Sequence, residues 1–228
     1  MGMTESNVSV GVVGAQGDLG SQLVLLLKKH GVSTIEYARR LHNGETIQST
    51  IDKCRIVHIC APLSALDEIT SIPKDTIIVL HDSVMSSSRT ANEQKLDGQA
   101  AIVHMLMNDQ STVVIAQDAP HQQAIAAHMQ SIGLTPKFAL IDEHDLLMAK
   151  SQAPLALLTQ TLLPYLYEQR DAGMLTPSGQ LLVETLHSRV LAWTPETIHS
   201  ILRNPQLEFL VDDMQSIISK VGYNRDND

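Results

Sequence analysis

Short apolar segments alternate with amphipathic segments along this chain up to about residue 141. The apolar segments predict strands at 8–13, 33–38, 55–60, 76–80, 100–104, 112–116 and 136–141. The amphipathic segments between them predict helices at 18–30, 63–70, 86–96 and 121–132. Such alternation is typical of a parallel β-sheet that is covered by helices on both faces.

The pattern changes at Asp142, after which no further strand is predicted. Segment 143–170 has a helical pattern that Pro154 and Pro164 are each expected to kink or break. Further helices are predicted at 178–193, 195–202 and 205–220. The sequence therefore predicts an α/β fold: a Rossmann-type doubly wound parallel sheet in residues 1–141, followed by a smaller all-helical domain in residues 142–228.

With 228 residues, of which 43% are hydrophobic, the chain is long enough for one nucleotide-binding domain and a smaller partner domain. Its 16 basic side chains are outnumbered by 25 acidic ones and form no cluster, so we expect no nucleic-acid partner. No apolar run reaches the roughly 18 residues that span a bilayer, so we expect no membrane contact. Cys54 and Cys60 have no disulfide or metal-ligand spacing, so we expect buried thiols in a reducing cytoplasm and no metal site.

The most informative segment is the apolar strand at 8–13, because it runs directly into glycines and then into a helical pattern. Unpaired N–H groups and the helix dipole at such a turn favour a pyrophosphate. In the usual Gly-x-Gly-x-x-Gly spacing, Gly17 permits close approach of a ligand and Gly20 permits close packing of helix on strand. A tight turn without a ligand is the alternative interpretation. The residues predicted to bind a dinucleotide here are Gly14, Ala15, Gln16, Gly17, Asp18 and Leu19.

The end of the second predicted strand bears on the choice between NAD and NADP. An acidic residue at this position binds the ribose 2′-hydroxyl of NAD, whereas the 2′-phosphate of NADP requires positive charge. If the turn begins at Ala38, Arg39 and Arg40 face the phosphate, and if the strand ends earlier, Glu36 can take the NAD role. The two arginines favour NADP slightly. The alternative is that they are a solvated pair on the surface without a role in cofactor binding.

Several further motifs follow the glycine turn along the chain. They are His58-Ile59-Cys60-Ala61-Pro62-Leu63, Ser83-Val84, His104 after a strand, Glu143-His144-Asp145 and Asn204-Pro205-Gln206-Leu207. In their order and spacing, over about residues 8–220, the chain resembles the prephenate/arogenate dehydrogenases of tyrosine biosynthesis. The resemblance implies that Ala61 and Pro62 contact the cofactor.

The resemblance also implies an NAD(P)-dependent dehydrogenase. In that family a hydride moves from the ring alcohol carbon of the substrate to the nicotinamide, carbon dioxide leaves, and the ring becomes aromatic. His104 is implied to accept the alcohol proton, and Ser83 to orient His104 or the substrate. Arg189 is implied to bind a substrate carboxylate through its guanidinium, and Gln152 to contact the substrate.

The substrate half departs from the family pattern. Met85 follows Ser83-Val84 where a lysine is usual, Leu80 replaces an expected aspartate, and the loop at 105–109 is rebuilt. Segment 151–155 lacks both histidines of the family's Ser-His-x-Pro-His motif. Two alternatives therefore stay open: a nucleotide-binding or regulatory protein with a decayed substrate site, and a dehydrogenase or reductase for another small acid.

The other histidines have structural explanations. His58 and His81 lie in apolar strands and are expected to be core residues with satisfied hydrogen bonds. His121 and His128 have the spacing of neighbours on a helix surface. Glu143-His144-Asp145 is expected to cap the long helix.

The predicted helical domain is short for a core of its own. Its leucines offer more apolar surface than one kinked helix can bury, so a homodimer through the C-terminal helices is predicted. The leucines in question are Leu155, Leu157, Leu158, Leu162 and Leu163.

Overall fold

A computed structural model of the chain describes residues 9–40, 44–106, 112–190 and 195–221, apart from several side chains beyond residue 187. The chain divides into two compact units. The first unit ends at Ile141, and the second begins at Asp142.

Seven strands form one sheet in the described part of the first unit. They are β1 (Val10–Val13), β2 (Thr34–Tyr37), β3 (Ile56–Ile59), β4 (Ile77–His81), β5 (Ala101–Leu106), β6 (Thr112–Ala116) and β7 (Thr135–Ala139). Their order is β2-β1-β3-β4-β5-β6-β7. This confirms the predicted Rossmann-type α/β fold, and each predicted strand end lies within two residues of the observed one.

The sheet is parallel except at one pair. β5 and β6 are antiparallel, whereas the sequence predicted a parallel sheet throughout. Only residues 107–111 separate these two strands, and a parallel pair needs a crossover of a dozen or more residues. The short connection therefore explains the reversal.

Helices cover both faces of the sheet. Those described in this unit are α1 (Asp18–Lys29), α2 (Ile47–Lys53), α3 (Met85–Lys95) and α4 (Gln122–Ser131), with a 3₁₀ helix at Leu63–Glu68. Successive strand residues point to opposite faces, so Val12 joins the apolar core that contains Leu27, Ile125 and Met129, while Val13 joins the core on the other face.

Two helix predictions in this unit need correction. The helix predicted at 63–70 is the shorter 3₁₀ helix, and α2 was not predicted at all. α2 begins with a capping box, in which the Thr46 side chain accepts from the Ser49 N–H and the Ser49 hydroxyl accepts from the Thr46 N–H. Seven residues are too few to show helical periodicity clearly, so the cap was the available signal.

The described part of the second unit is all-helical, as predicted. Its helices are α5 (Ile141–Ser151, whose first residue closes the first unit), α6 (Ala153–Thr161), α7 (Leu163–Asp171), α8 (Pro177–Val190), α9 (Pro195–Leu202) and α10 (Leu207–Val221). Pro154 and Pro164 break the predicted long helix, and each lies in the first turn of the next one. No helix in the described ranges has the length and apolar character needed to cross a membrane.

Candidate functional site

The turn after β1 has two positions at which only glycine fits. Gly14 has φ +85°, and an added Cβ would lie 2.4 Å from the carbonyl oxygen of Cys60. A Cβ on Gly20 would lie 2.1 Å from the carbonyl oxygen of Gly14, so the first turn of α1 packs directly on the glycine turn. This is the close packing of helix on turn that the spacing predicted.

Gly17 is exposed at the N-terminal end of α1. It is the N-cap of α1, and no side chain among the described residues caps the helix there. A Cβ on Gly17 would have its nearest neighbour at 3.4 Å, an ordinary contact with the Gly14 carbonyl oxygen. Backbone N–H groups at such an uncapped helix end can hydrogen-bond an anionic ligand.

The other predicted residues of the turn differ in orientation. Gln16 and Asp18 are exposed on either side of Gly17. Ala15 is buried and donates its N–H to the Tyr37 carbonyl oxygen at 3.1 Å, and Leu19 packs against the core. The apolar side chains of Ala15 and Leu19 thus hold the turn on the sheet, and Gln16 and Asp18 are its exposed side chains.

The segment after β3 lies beside the glycine turn. The N–H of Cys60 donates to the Val13 carbonyl oxygen at 2.8 Å, which continues the β1–β3 pairing to the carboxyl edge of the sheet. A Cβ on Gly14 would lie 3.1 Å from the backbone nitrogen of Ala61, and the next residue, Pro62, is exposed. The structure therefore brings Ala61 close to the predicted pyrophosphate site, at the point where the strand order reverses.

The end of β2 is polar and solvated. Glu36 is the next-to-last residue of β2, and its carboxylate lies 2.6 Å from the Lys28 ammonium. Arg39 and Arg40 follow the strand and are exposed. The Arg39 guanidinium lies 3.8 Å from the Glu68 carboxylate, a loose surface contact.

Ser83 and His104 meet at the carboxyl edge of the sheet. Ser83 follows β4, and its hydroxyl lies 3.4 Å from Nε2 of His104 on β5, which is a long hydrogen bond. His104 is only 8% exposed. Asp82 accepts from the Val84 N–H at 3.2 Å and thereby shapes the turn that carries Ser83. The two residues predicted to act together are therefore in contact.

Three histidines form a hydrogen-bonded chain on the sheet face that α4 covers. His58 on β3 is fully buried, and its Nδ1 lies 2.9 Å from Nε2 of His81. Its Nε2 lies 3.1 Å from Nε2 of His128 on α4. Nδ1 of His81 is buried and has no hydrogen-bond partner among the described residues.

These findings confirm that His58 is a satisfied core residue but correct two other expectations. One nitrogen of His81 has no hydrogen-bond partner within the described part of the chain, and His128 is half-buried in a core contact rather than on the helix surface. Sequence reasoning could have paired His58 with His81, because adjacent parallel strands place residues of equal parity on one face. The contact with α4 depends on helix packing and left no local signal.

Burial keeps these imidazoles neutral. Loss of hydration lowers the pKa of His81 to about 3, with a smaller effect of nearby His104 and His128. It also lowers the pKa of His58 well below its usual value, and that of His128. Each ring therefore has one donor and one acceptor nitrogen at neutral pH.

In the second unit, the structure describes the side chain of one of the two residues predicted to bind the substrate. Gln152 lies at the break between α5 and α6, and its Oε1 is buried without a hydrogen-bond partner among the described residues. An unsatisfied buried acceptor is costly unless a bound group donates to it. The side chain of Arg189 lies outside the described part of the chain, as do residues 107–109 of the rebuilt loop.

His144 and Asp145 form a buried pair within α5. Both are buried, with His144 Nδ1 2.9 Å from Asp145 Oδ1. Nδ2 of Asn204 donates to the Asp145 carbonyl oxygen at 2.8 Å, which ties α5 to the segment between α9 and α10. No group of three or more His, Cys, Asp and Glu side chains in the described ranges could hold a metal ion.

The sheet order, the glycine turn and the second unit define a Rossmann-type α/β protein with an all-helical second unit. No protein-family model matches the chain, and no curated protein matches it. Solved structures do match. The prephenate dehydrogenase from A. aeolicus, in complex with hydroxyphenyl propionate and NAD+, has a TM-score of 0.74 at 13% identity, covering 96% of this chain and 90% of that one.

Two further matches have the same architecture. A candidate prephenate dehydrogenase from Corynebacterium glutamicum has a TM-score of 0.75 at 13% identity, covering 93% of this chain and 80% of that one. The Synechocystis arogenate dehydrogenase has a TM-score of 0.65 at 16% identity, covering 93% of this chain and 90% of that one. Other matching structures hold NAD or NADP. These likenesses establish the fold and agree with the family resemblance of the motifs.

Proposed function

We propose that this chain is an NAD(P)-dependent dehydrogenase that oxidises prephenate, arogenate or a related small acid. The observation that carries this proposal is the contact between Ser83 and His104 at the sheet edge that also holds the glycine turn. A hydroxyl and an imidazole in contact there are suited to an alcohol substrate. This activity would place the protein in the cytoplasm, in tyrosine biosynthesis.

For the cofactor, the glycine turn binds the pyrophosphate through main-chain N–H groups, and Ala61 and Pro62 contact the dinucleotide beside it. NADP is favoured over NAD because Arg39 and Arg40 lie just after the end of β2, separated from it only by Ala38, while Glu36 is already paired with Lys28. A 2′-phosphate near two exposed guanidiniums gains charge-assisted hydrogen bonds.

The bound nicotinamide supplies the hydride acceptor. His104 accepts the proton of the alcohol O–H as the hydride leaves the carbon that bears this hydroxyl, and Ser83 orients the imidazole through its own hydroxyl. When the ring carboxylate leaves as carbon dioxide, its bonding electrons complete the aromatic ring. The resulting phenolate oxygen takes the proton back from His104, so the protein returns to its starting protonation state.

Substrate recognition is assigned to the second unit. Arg189 binds a carboxylate of the substrate, and Gln152 accepts a hydrogen bond at its buried Oε1. We also propose a homodimer through the C-terminal helices, because Leu155, Leu158 and Leu181 are 40%, 40% and 66% exposed. Leu163, which was expected to contribute to this surface, instead packs in the unit's own core.

The test is cofactor reduction, followed by absorbance, with prephenate and arogenate against NAD and NADP. His104→Asn is expected to lower kcat roughly 10²–10⁴-fold while leaving cofactor affinity unchanged, since the imidazole addresses the substrate. Ser83→Ala is the matched variant and is expected to lower kcat less, because His104 remains as the base. Wild-type turnover in the His104→Asn variant would contradict the assignment.

The second candidate is a nucleotide-binding protein with a decayed substrate site. Leu155 stands where the family motif has a histidine, and an alkyl side chain cannot bind a carboxylate. Dinucleotide binding without turnover of either acid would favour this alternative or a dehydrogenase for a different acid. The two are distinguished by a screen of small hydroxy acids with the same assay.

A further inference from the structure

Asp82 lies at the same sheet edge as Ser83 and His104, and its carboxylate takes no part in the mechanism proposed above. The register of β4 and β5 pairs His81 with Val103. Asp82 follows β4 directly, and its N–H donates to the Val103 carbonyl oxygen at 3.2 Å, so the ladder of hydrogen bonds reaches Asp82. Asp82 therefore lies beside His104 on the neighbouring strand.

The register also decides the face of the sheet. Successive residues of a strand point to opposite faces, so Asp82 and His104 belong to the face opposite to that of His81. This is the face of α3, because Ile102, two residues before His104, packs with Met85 at the start of that helix. Neighbouring strands are about 4.8 Å apart, so an ionised carboxylate at this position acts on the imidazole at short range.

Two hydrogen bonds hold the Asp82 carboxylate on this face. Its Oδ1 accepts from the Val84 N–H at 3.2 Å, and its Oδ2 accepts from the Ser88 hydroxyl at 3.3 Å. Ser88 is fully buried in the first turn of α3, so the contact places the carboxylate on the α3 side of the sheet. An ionised carboxylate can accept both hydrogen bonds.

The same contacts fix the position of Ser83. Ser83 lies between Asp82 and Val84, which the carboxylate joins, and Val84 is itself buried. The Ser83 hydroxyl is 3.4 Å from Nε2 of His104, near the upper limit for a hydrogen bond. A small displacement of the turn would break this contact, so the clamp formed by Asp82 decides whether Ser83 can orient the imidazole.

We propose that Asp82 is a positioning residue for His104: it holds Ser83 against the imidazole, and its negative charge stabilises the imidazolium that forms when His104 takes the substrate proton. The proposal rests on the proposed dehydrogenase function. The proton stays on His104 until the phenolate takes it back, and Asp82 remains ionised throughout. Asp82 acts through Ser83 and His104 and does not contact the substrate.

The other elements around His104 contribute the following groups. β6 presents Val114, the register partner of His104, which carries no charge. α3 carries Arg89, whose guanidinium lies 3.5 Å from the Asp118 carboxylate. On the opposite face, His81 stays neutral because burial lowers its pKa to about 3. Asp82 is therefore the carboxylate that the register places next to the base.

The first test needs no turnover. Asp82→Asn keeps an acceptor for the Val84 N–H but removes the charge, whereas Asp82→Glu keeps the charge. In NMR of the protein without substrate, the signal of the His104 ring is assigned by its absence in His104→Asn. Its titration midpoint should be about one pH unit lower in Asp82→Asn than in the wild type, because the imidazolium loses an opposite charge. In Asp82→Glu it should stay near the wild-type value.

Glu93→Gln is the matched control for this titration. It removes an exposed carboxylate from α3 and should leave the midpoint of His104 unchanged. An equal midpoint in Asp82→Asn and in the wild type would overturn the proposal.

The second test is kinetic. Asp82→Asn should lower kcat on the order of tenfold, less than His104→Asn, and move the acidic limb of the kcat profile to lower pH, with the cofactor KM unchanged. Ser88→Ala keeps the charge but loosens the turn, so it should lower kcat without moving that limb. An unchanged kcat in Ser88→Ala would refute the clamp, and this variant decides the point even if Asp82→Asn does not fold.

The outcomes are separable. Unchanged kcat, pH profile and His104 titration in Asp82→Asn would refute the positioning role while leaving the dehydrogenase function intact. A wild-type protein that reduces no cofactor with either acid would refute the proposed function, and the NMR titration would still decide whether Asp82 acts on His104.

Discussion

Lowering the pH should destabilise this protein well before its carboxylates titrate. His58 and His81 are held neutral because burial lowers the pKa of both, that of His81 to about 3. In the unfolded chain they titrate near 6.5. Between these values the unfolded state binds more protons than the folded state, so stability is complete above pH 6.5 and falls as the pH decreases.

The magnitude follows from the linkage relation. Each histidine that stays neutral only in the folded state removes about 1.4 kcal/mol per pH unit below 6.5. Between pH 7 and pH 5, His58 and His81 together should therefore remove about 4 kcal/mol, and His128, whose pKa is also lowered, should add to this loss. That is a large part of the roughly 5–15 kcal/mol that stabilises an ordinary domain.

Urea unfolding at pH 7, 6 and 5 measures the effect as the free energy of unfolding against pH. The double variant His58→Leu/His81→Leu is expected to lose most of the pH slope, whatever its stability at pH 7. His121→Asn, which removes an exposed histidine, should keep the wild-type slope. A wild-type free energy that is equal at pH 7 and pH 5 would refute the assignment of these rings as buried and neutral.

Three other predictions concern the cofactor turn and the assembly. Gly20→Ala should cost roughly 1–3 kcal/mol of stability and weaken cofactor binding, because its Cβ would lie 2.1 Å from the Gly14 carbonyl oxygen. Gly17→Val should weaken cofactor binding without loss of stability, and calorimetry together with urea unfolding distinguishes the two effects. A cofactor affinity in Gly17→Val equal to that of the wild type would show that the turn is not part of the binding site. Replacing Arg39 and Arg40 by alanine should weaken NADP binding by on the order of 1.5–3 kcal/mol per lost charged hydrogen bond and leave NAD affinity unchanged. An unchanged ratio of the NADP and NAD affinities would mean that the two arginines are only solvated surface residues. Light scattering at micromolar concentration should show a dimer, and a monomer that is unaffected by concentration contradicts the proposed interface.

The first unit was largely predictable because its signals are local. A strand buried on both faces is a short apolar run, and a helix that covers it shows its own periodicity. The glycine turn was also readable, since Gly20 is required by the packing of α1 on the residues just before it. The short helix α2 is not predicted because its seven residues show too little periodicity, and its capping box is the one local signal for it.

The sequence by itself determined the seven strands, the glycine turn and the change to an all-helical segment after residue 141, because each depends on neighbours along the chain. Only the tertiary structure decided that His128 meets His58 and completes the histidine cluster. His58, His81 and His128 come from two strands and a helix, and up to 70 residues separate them. Their contact follows from strand order and from the packing of α4, which are long-range outcomes of core formation and leave no pattern in any one segment.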